Sequence, residues 1–252
     1  MINAIDYGFV PDVDTFDNAS KWASFLTETD NQIYFPSGYY YFLSHPNTTN
    51  KNIFVQGNSF SNTALVRHYQ TQSAYETFIE IRKGKGCRFE NITIGSDMST
   101  DGIAFALWSE LNGDSPDFFT CRNLNITSYN GSTWKRGAWL FGGQRIDPQY
   151  AIGLRDCHFD NLSVFNCTEN TIDINLCRSL YMTCQVYQGS GSTSLIQIGG
   201  SATNKTNSLV LTAQSYIGSI NVWHCEGAII TAPSIANINE ISSTLIKYVK
   251  GN

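Results

Sequence analysis

Three carboxylate side chains lie in the sequence where they could act together in acid/base chemistry. Glu80, Asp117 and Asp173 each interrupt a short apolar run, in the segments "FIEIR", "PDFFTC" and "TIDINL". Alternation of this kind is typical of β-strands, so we expect the apolar neighbours to face inward and the carboxylates outward. In the second segment the same alternation also predicts that Phe119 faces outward. Two carboxyl groups on one surface are what glycoside hydrolysis requires.

The distances between these carboxylates follow from the way the strands stack. In a stack of parallel strands, Glu80 and Asp117 would lie one strand apart, at about 4.8 Å, and Asp117 and Asp173 two strands apart, near 10 Å. The narrower gap resembles a retaining glycosidase pair and the wider one is near the upper limit of an inverting pair. The alternative is that Glu80 and Asp173 form surface ion pairs with Arg82 and Arg155, which would have no chemical role.

A second set of residues could bind a sugar. Trp108 and Trp139 lie on the predicted outward face, and Trp134 lies in the loop before Trp139. An exposed indole ring can stack on the apolar C–H face of a sugar, although such rings can equally pack beneath loops or into a subunit interface. Polar loops at residues 109–117 and 142–150 add carboxylates and an arginine. The predicted substrate-binding residues are Trp108, Trp134, Trp139, Arg145, Asp147 and Arg155.

A repeated motif indicates the architecture that must position these residues. Cys, three residues, Asn or Tyr, an aliphatic residue and Thr or Ser recur in "GCRFENITIG", "TCRNLNITS", "DCHFDNLSV" and "LCRSLYMTC", at spacings of 34, 36 and 20, and a fifth copy with Thr212 follows after 35. A period in this range is typical of stacked supersecondary units. We therefore predict an all-β fold, a single-stranded parallel β-helix, with a β-sandwich or barrel as the competing fold.

The repeat also predicts the structural roles of the Cys and Asn residues in the motif. Four cysteines fall in one column, which predicts buried free thiols stacked at a corner of each turn; the spacing does not suit disulfides or a zinc site. Asn91, Asn125 and Asn161 form a second column. We expect them to hydrogen-bond along the stack, since Asn tolerates the left-handed conformation that a tight corner needs.

Composition excludes several classes of function. The chain has 252 residues, a net charge of −5 and no stripe of Lys and Arg, so we expect no nucleic-acid partner. It has no stretch of 18 apolar residues, so we expect no membrane insertion. The start "MINAIDYGFV" lacks the pattern of a secretory signal. The scattered histidines show no recurring ligand spacing and no nucleotide-binding motif appears, so we predict neither a metal nor a cofactor.

The N-terminal segment differs from the rest, and we divide the chain into a cap at 1–45 and a β-helix body at 46–252. "DNASKWASFLTET" predicts an amphipathic helix with Asp17 as its N-cap, and "NQIYFPSGYYYF" predicts a hairpin. Such a helix would block the open end of a solenoid. The segments "AIDYGFVPDVDTFDNASKWASFL" and "IYFPSGYYYF" resemble the start of pectate-lyase-like right-handed parallel β-helix proteins, especially bacteriophage tailspike and receptor-binding proteins. The family's usual Asp-Gly turn reads "PDVDTFDN" here, without its glycine.

The resemblance implies a right-handed helix with an N-terminal capping helix, and three hypotheses for function. The first is a homotrimeric phage tailspike or receptor-binding protein, made in the host cytoplasm and carried on the virion, that recognises a bacterial surface polysaccharide with or without cleaving it. The second is a non-catalytic structural or adhesion component of a virion. The third is a stand-alone polysaccharide lyase or hydrolase outside the cell. Lyase action would need Arg82 or Arg155 as base.

Overall fold

In the part of the chain that the structure describes, short strands form a coil, and one short helix lies near its start. The computed structural model describes residues 1–252 except residues 30, 71–72, 74–75, 100–101, 110–114, 143–152, 188–194, 201–204, 215–217, 234–236, 245 and 252. The elements are β1 Ile2–Asn3, α1 Ala19–Phe25, β2 Gln32–Phe35, β3 Gly38–Phe42, β4 Phe54–Gly57, β5 Thr63–Arg67, β6 Thr77–Ile81, β7 Arg88–Ser96, β8 Ile103–Trp108, β9 Thr120–Ile126, β10 Arg136–Phe141, β11 Leu154–Phe165, β12 Ile172–Asn175, β13 Cys177–Tyr187, β14 Leu195–Gly199, β15 Thr206–Gln214, β16 Ser219–Trp223, β17 Cys225–Pro233, β18 Asn237–Ile241 and β19 Lys247–Gly251.

Within the described residues these strands form two sheets, and all the strand pairings are parallel. Sheet A has twelve strands, in the order β1-β2-β4-β7-β9-β11-β13-β15-β17-β19, with β3 and β5 attached beside β7. Sheet B has seven strands, β6, β8, β10, β12, β14, β16 and β18. From β5 onward the chain passes from sheet A to sheet B and back in every turn, so each strand pairs with the strand one turn earlier.

Sheet A is bent into two faces. The first part of β7 pairs with β4 and its second part pairs with β5. We call the two parts face A1, which contains β2, β4 and the first halves of the long strands, and face A2, which contains β3, β5 and the second halves. Each turn therefore runs through A1, A2 and sheet B, which confirms the predicted parallel β-helix. Its right-handed sense stays a prediction.

The core lies inside this coil and is built from residues that alternate with outward side chains. Ile79, Ile81, Phe105 and Leu107 point inward from the first strands of sheet B and are at most 1% exposed. On face A1 a run of phenylalanines contributes, with ring centroids of Phe89 and Phe119 6.1 Å apart and those of Phe119 and Phe159 5.2 Å apart. All seven cysteines are buried free thiols, as predicted.

The predicted cysteine column is wrong in register. Cys121 is the strand partner of Phe89 and of Phe159, and Cys157 is the partner of Leu180. Cys121 and Cys157 therefore lie beside larger apolar residues of the adjacent turns rather than on one another. The reason is that turns differ in loop length, so successive partners in this column are separated by 32 residues between Phe89 and Cys121 and by 38 between Cys121 and Phe159.

The asparagine ladder exists, but one of its members differs from the prediction. Asn91, Asn123 and Asn161 have φ values of 53°, 52° and 60°, the left-handed conformation that forms the corner between A1 and A2. The Asn123 amide donates to Asn91 Oδ1 at 2.8 Å, and the Asn161 amide donates to Asn123 Oδ1 at 2.9 Å. Asn125, predicted for this ladder, lies two residues later on face A2 and donates to Thr93 Oγ1 at 3.1 Å.

The N-terminal segment contains the predicted helix but no hairpin. In α1, Trp22 and Phe25 are buried, and the Trp22 ring lies 6.4 Å from that of Phe42. The helix N-cap position is Asn18, while Asp17 Oδ1 accepts from the backbone N–H of Ala19 at 3.0 Å. Strands β2 and β3 do not form a hairpin; they pair in parallel with β4 and β5 and form the first turn of the coil. Among the described residues, no helix is long and apolar enough to cross a membrane.

Candidate functional site

The side of sheet B that faces away from the core carries a continuous column of residues. Parallel pairing places Glu80 beside Ala106, Ala106 beside Trp139, and Trp139 beside Asp173. The column then continues through Gln197, Asn221 and Asn239. The sequence correctly predicted that Glu80, Trp139 and Asp173 share one outward face.

Three aromatic rings form a cluster on this surface. Trp108 and Trp139 lie with ring centroids 4.6 Å apart, and Phe141 lies 5.4 Å from Trp108 and 6.0 Å from Trp139. With Ile103 and Ala106 they make an apolar group separate from the core. Trp139 is only 8% exposed, whereas Trp108 and Phe141 are half-buried and form the accessible part of the cluster.

A charged group borders the aromatic cluster. The guanidinium carbon of Arg136 lies 4.8 Å from the centre of the Trp139 ring, within the range of a cation–π contact. Arg136 also donates from Nε to Glu169 Oε2 at 3.2 Å, and Lys135 Nζ lies 3.3 Å from Glu169 Oε1. Two cations thus share one carboxylate beside an aromatic surface.

Asp173 is the strand partner of Trp139, and it is 8% exposed. The side-chain amide of Asn170 donates to Asp173 Oδ2 at 2.9 Å and also to Gln197 Oε1 at 2.6 Å. Burial raises the pKa of Asp173, while the hydrogen bond from Asn170 and the charge of Arg136 act in the opposite direction. A buried carboxyl with a raised pKa retains its proton more readily, which is the property a general acid needs.

Glu80 lies in the same column but is occupied by structural contacts. Arg82 donates from Nε to Glu80 Oε1 at 2.6 Å, so the alternative of an ion pair holds for this residue. Thr48 donates from its hydroxyl to Glu80 Oε2 at 3.4 Å. Three strand steps separate Glu80 from Asp173, or about 14 Å, which exceeds the spacing of either type of glycosidase pair.

The predicted position of Asp117 is wrong. It lies in a turn before β9 rather than on sheet B, and its side chain is fully buried. Arg155 of β11 donates to it three times: from the backbone N–H to Oδ1 at 3.0 Å, from Nε to Oδ2 at 3.0 Å and from Nη2 to Oδ2 at 2.7 Å. Phe119, predicted outward, is in the core because the turn at Asp117 and Phe118 resets the alternation. Arg155 is therefore the partner of Asp117 and not of Asp173.

Trp134, which was also predicted to bind a sugar, lies apart from the cluster. Trp134 is fully buried, its ring stacks on Phe78 with centroids 6.2 Å apart, and its indole N–H donates to the carbonyl of Thr127 at 2.7 Å. Trp134 lies in the segment before β10, as predicted, but its ring belongs to the core and offers no face to a ligand, so its predicted binding role is wrong. Arg145 and Asp147 fall outside the described residues.

Sequence reasoning missed three polar residues of this surface, namely Arg136, Asn170 and Gln197. For Gln197 a signal was present, because "IQI" repeats the pattern of "IEI" and "IDI" and so predicts the same outward position. Arg136 and Asn170 carry no such signal, since they lie at or before the start of a strand. Their positions depend on how far each strand extends.

The chemistry of this surface favours binding over a paired-carboxylate reaction. An aromatic cluster beside amide, guanidinium and carboxyl groups matches a sugar, which presents both an apolar ring face and hydroxyl groups. Within the described part of the chain, no group of three or more His, Cys, Asp and Glu side chains could hold a metal ion. Of the three predicted carboxylates, Asp173 is the strand partner of Trp139, and burial raises its pKa.

Comparisons with known proteins support the fold. No protein-family model and no curated protein sequence matches the chain. The A-module of the mannuronan C-5 epimerase AlgE6 of Azotobacter vinelandii is similar in structure, with a TM-score of 0.59 and 9% identity over 98% of this chain and 75% of that one. The adhesin PfbA of Streptococcus pneumoniae aligns over 99% of this chain and 100% of its own, with 9% identity and a TM-score of 0.34. At such identities the likeness to the epimerase shows a shared parallel β-helix fold, in agreement with the pectate-lyase-like resemblance.

Proposed function

We propose that this chain is a glycan-recognition protein that binds a bacterial surface polysaccharide on the outer side of sheet B. The observation that carries the proposal is the cluster of Trp108, Trp139 and Phe141, with Arg136 against Trp139. Half-buried rings next to hydrogen-bonding side chains provide both parts of a sugar-binding surface. The amides of Gln197 and Asn221, on the following strands, extend the polar part along the stack.

The biological setting that we propose is the tail of a bacteriophage. Support comes from the N-terminal motif, which resembles that of tailspike and receptor-binding proteins, and from the parallel β-helix body that follows it. By the same resemblance the protein is a homotrimer carried on the virion. The alternatives are a non-catalytic adhesion component of a virion and a stand-alone lyase or hydrolase. Light scattering on the purified protein separates a trimer from a monomeric enzyme.

Depolymerisation is a second candidate activity, and the raised pKa of Asp173 favours it. For this activity Asp173 donates its proton to the glycosidic oxygen, the bond between that oxygen and C1 breaks, and a water molecule adds to C1 and loses a proton to solvent. Its substitution by Asn would abolish release of oligosaccharides while leaving binding intact. If Asp173→Asn leaves the release rate unchanged, the acid is another residue.

The proposal is tested by the mobility of the protein in native gels that contain capsular polysaccharide or O-antigen of candidate hosts. We expect retardation that Trp108→Ala and Trp139→Ala each reduce by about fivefold or more. Tyr181→Ala is the matched control, because Tyr181 is an exposed aromatic residue on face A1, at 42% exposure. Equal retardation of all three variants would show that the cluster is not the binding surface.

A further inference from the structure

The side of face A2 that faces away from the core carries a row of hydroxyl and amide groups. Inward neighbours such as Tyr40, Leu65 and Leu124 belong to the core, so the residues that alternate with them point outward. Strand pairing fixes the order of this row, which we call the polar row: Tyr39, Ala64, Thr93, Asn125, Ser163, Gln185 and Gln214. Seven turns of the coil thus contribute one residue each.

Several side chains of the polar row are joined to one another by hydrogen bonds. Asn125 donates to Thr93 Oγ1 at 3.1 Å, and Gln185 donates from Nε2 to Gln214 Oε1 at 3.3 Å. Tyr187 donates its hydroxyl to Gln185 Oε1 at 2.8 Å. These bonds hold the amide groups in a line at the spacing of the strands.

Aromatic side chains flank the polar row. Phe165 and Tyr187 are strand partners whose rings stack nearly parallel, with centroids 4.4 Å apart and an angle of 5°. At the other end, the rings of Tyr39 and Tyr129 lie 5.6 Å apart. Tyr39 and Tyr187 are 40% and 37% exposed, which leaves ring surface for a ligand at both ends of the row.

A glycine makes room for one of these rings. A Cβ atom at Gly95 would lie 2.4 Å from Cε2 of Tyr129, so the Tyr129 ring lies directly on the backbone of β7. The ring therefore lies against the strand surface, beside the polar row, and does not project into solvent. A flat aromatic surface of this kind suits the flat face of a sugar ring.

The charge of this surface indicates an uncharged ligand. The polar row contains no Asp, Glu, Lys, Arg or His, and its flanking rings are those of Phe and Tyr. Two carboxylates lie beside it: Asp12, whose Oδ1 accepts from the backbone N–H of Tyr39 at 2.9 Å, and Asp97, which contacts His68 at 2.7 Å next to the ring of Tyr41. A surface that offers amides, hydroxyls and rings without cations gives no advantage to an anionic polymer.

We propose that the polar row and its flanking tyrosines form a second glycan-binding surface, which takes a linear, uncharged polysaccharide lying along the axis of the coil. Successive side chains are about 4.8 Å apart, which is close to the length of one sugar unit, and the seven positions span about 29 Å. Five of the seven positions present a hydroxyl or amide group to the ligand, namely Tyr39, Asn125, Ser163, Gln185 and Gln214. Ala64 and Thr93 are buried between them and do not contact it. The surface is separate from sheet B and does not depend on the function proposed for sheet B.

The test uses native gels that contain hydroxyethylcellulose, galactomannan or dextran, with polygalacturonate as the anionic comparison. We expect at least one neutral polymer to retard the full chain, and polygalacturonate not to compete for it. The double variant Tyr39→Ala/Tyr187→Ala should weaken the retardation about fivefold or more, whereas Tyr181→Ala should not. Trp139→Ala is run in the same gels. If it weakens retardation by the neutral polymer, the polymer binds to sheet B; if only the Tyr39/Tyr187 variant does so, the polymer binds to the polar row.

A second measurement tests the extended shape of the surface. Oligosaccharides of one to six units, cut from the polymer that retards the protein, are titrated against the full chain by calorimetry. Affinity should rise with each added unit and Gln185→Ala should reduce the gain for the longer ones. Retardation by none of the three neutral polymers, or an affinity already complete with a single sugar, would overturn the proposal. Thermal unfolding of each variant confirms that it is folded.

Discussion

Trp139 and Asp173 are direct partners on the adjacent parallel strands β10 and β12. The carboxyl group of Asp173 is therefore held one strand from an aromatic ring and from Arg136, which lies on that ring. Because both side chains are about nine-tenths buried, their properties depend on the surrounding protein more than on solvent. The ionisation of Asp173 should therefore change the free energy of unfolding, and measuring that free energy against pH reports on it.

We predict that Asp173→Asn changes how stability depends on pH. An unfolded Asp has a pKa of about 3.9, and burial places the folded pKa above its ordinary value. Between the two values the folded protein binds more protons than the unfolded chain, so its stability falls as pH rises through that window. Asn does not titrate. The free energy of unfolding of the variant, relative to the original protein, should therefore be higher at pH 7 than at pH 3.5 in urea titrations.

The matched control for this experiment is Asp160→Asn, which removes one carboxylate whose side chain is 60% exposed. It corrects for the effect of net charge on stability. A difference between Asp173→Asn and the original protein that is the same at both pH values would contradict the shift that burial produces.

We predict that the contact between Asp117 and Arg155 is a stabilising one. Asp117→Ala leaves the Arg155 side chain without this partner, and Arg155→Ala leaves a fully buried carboxylate with only a backbone N–H donor. Removing one member of a buried pair costs about 3 kcal/mol, and the partial exposure of Arg155 reduces this to about 2 kcal/mol. Denaturant unfolding measures the loss, and native gels should show unchanged glycan binding.

The exposed pair of Arg122 and Asp160 is the control for that prediction. Their charged atoms are 3.5 Å apart and both side chains are about 60% exposed, so Arg122→Ala should cost no more than about 0.5 kcal/mol. If Asp117→Asn instead preserves stability and abolishes oligosaccharide release, Asp117 has the catalytic role that its sequence position first indicated.

The sequence predicts which face a residue occupies better than it predicts its neighbours. Glu80 and Asp173 lie between isoleucines whose burial fixes the direction of the side chain, so both faces were predicted correctly. Asp117 lies before a turn in which Phe118 has a φ of 58°, and that turn breaks the alternation on which the prediction depended. A local pattern cannot indicate such a break when the residue involved is neither Gly nor Asn.

The register between neighbouring turns is the second feature that the sequence does not predict. In "TCRNLNITS" both Asn123 and Asn125 fit a ladder, and the choice depends on which of their neighbours reach the core. Leu124 pairs with Ile92, which places Asn123 beside Asn91. This pairing is set by the lengths of loops that connect the strands, and loop length is not constant between turns. The repeat period therefore predicted the parallel β-helix correctly but predicted Asn125, instead of Asn123, as the ladder residue.

We predict that Asn123→Ala destabilises the protein by about 2 to 3 kcal/mol. The substitution removes two ladder hydrogen bonds, worth about 1 kcal/mol each, and places a Cβ-bearing residue without a polar side chain at a φ of 52°. Asn123→Gly removes the same bonds but adopts this backbone conformation freely. Denaturant unfolding of both variants separates the two contributions. Equal stability of the Ala and Gly variants would show that the corner is not strained by alanine.

The cysteines give a prediction that tests the interior of the whole coil. Burial raises the pKa of Cys87 and of Cys225 to about 11, and that of Cys157, Cys167 and Cys184 to about 12. Since the thiolate is the reactive form, native protein at pH 8 should react with a thiol reagent far more slowly than a free peptide thiol. Mass spectrometry of partially labelled protein should show Cys87 and Cys225 modified first, because burial raises their pKa values less than those of the other cysteines. Unfolding in guanidinium should expose all seven thiols at once. Rapid reaction of several thiols in the native protein would contradict their burial, and with it the pairing register that places them inside the coil.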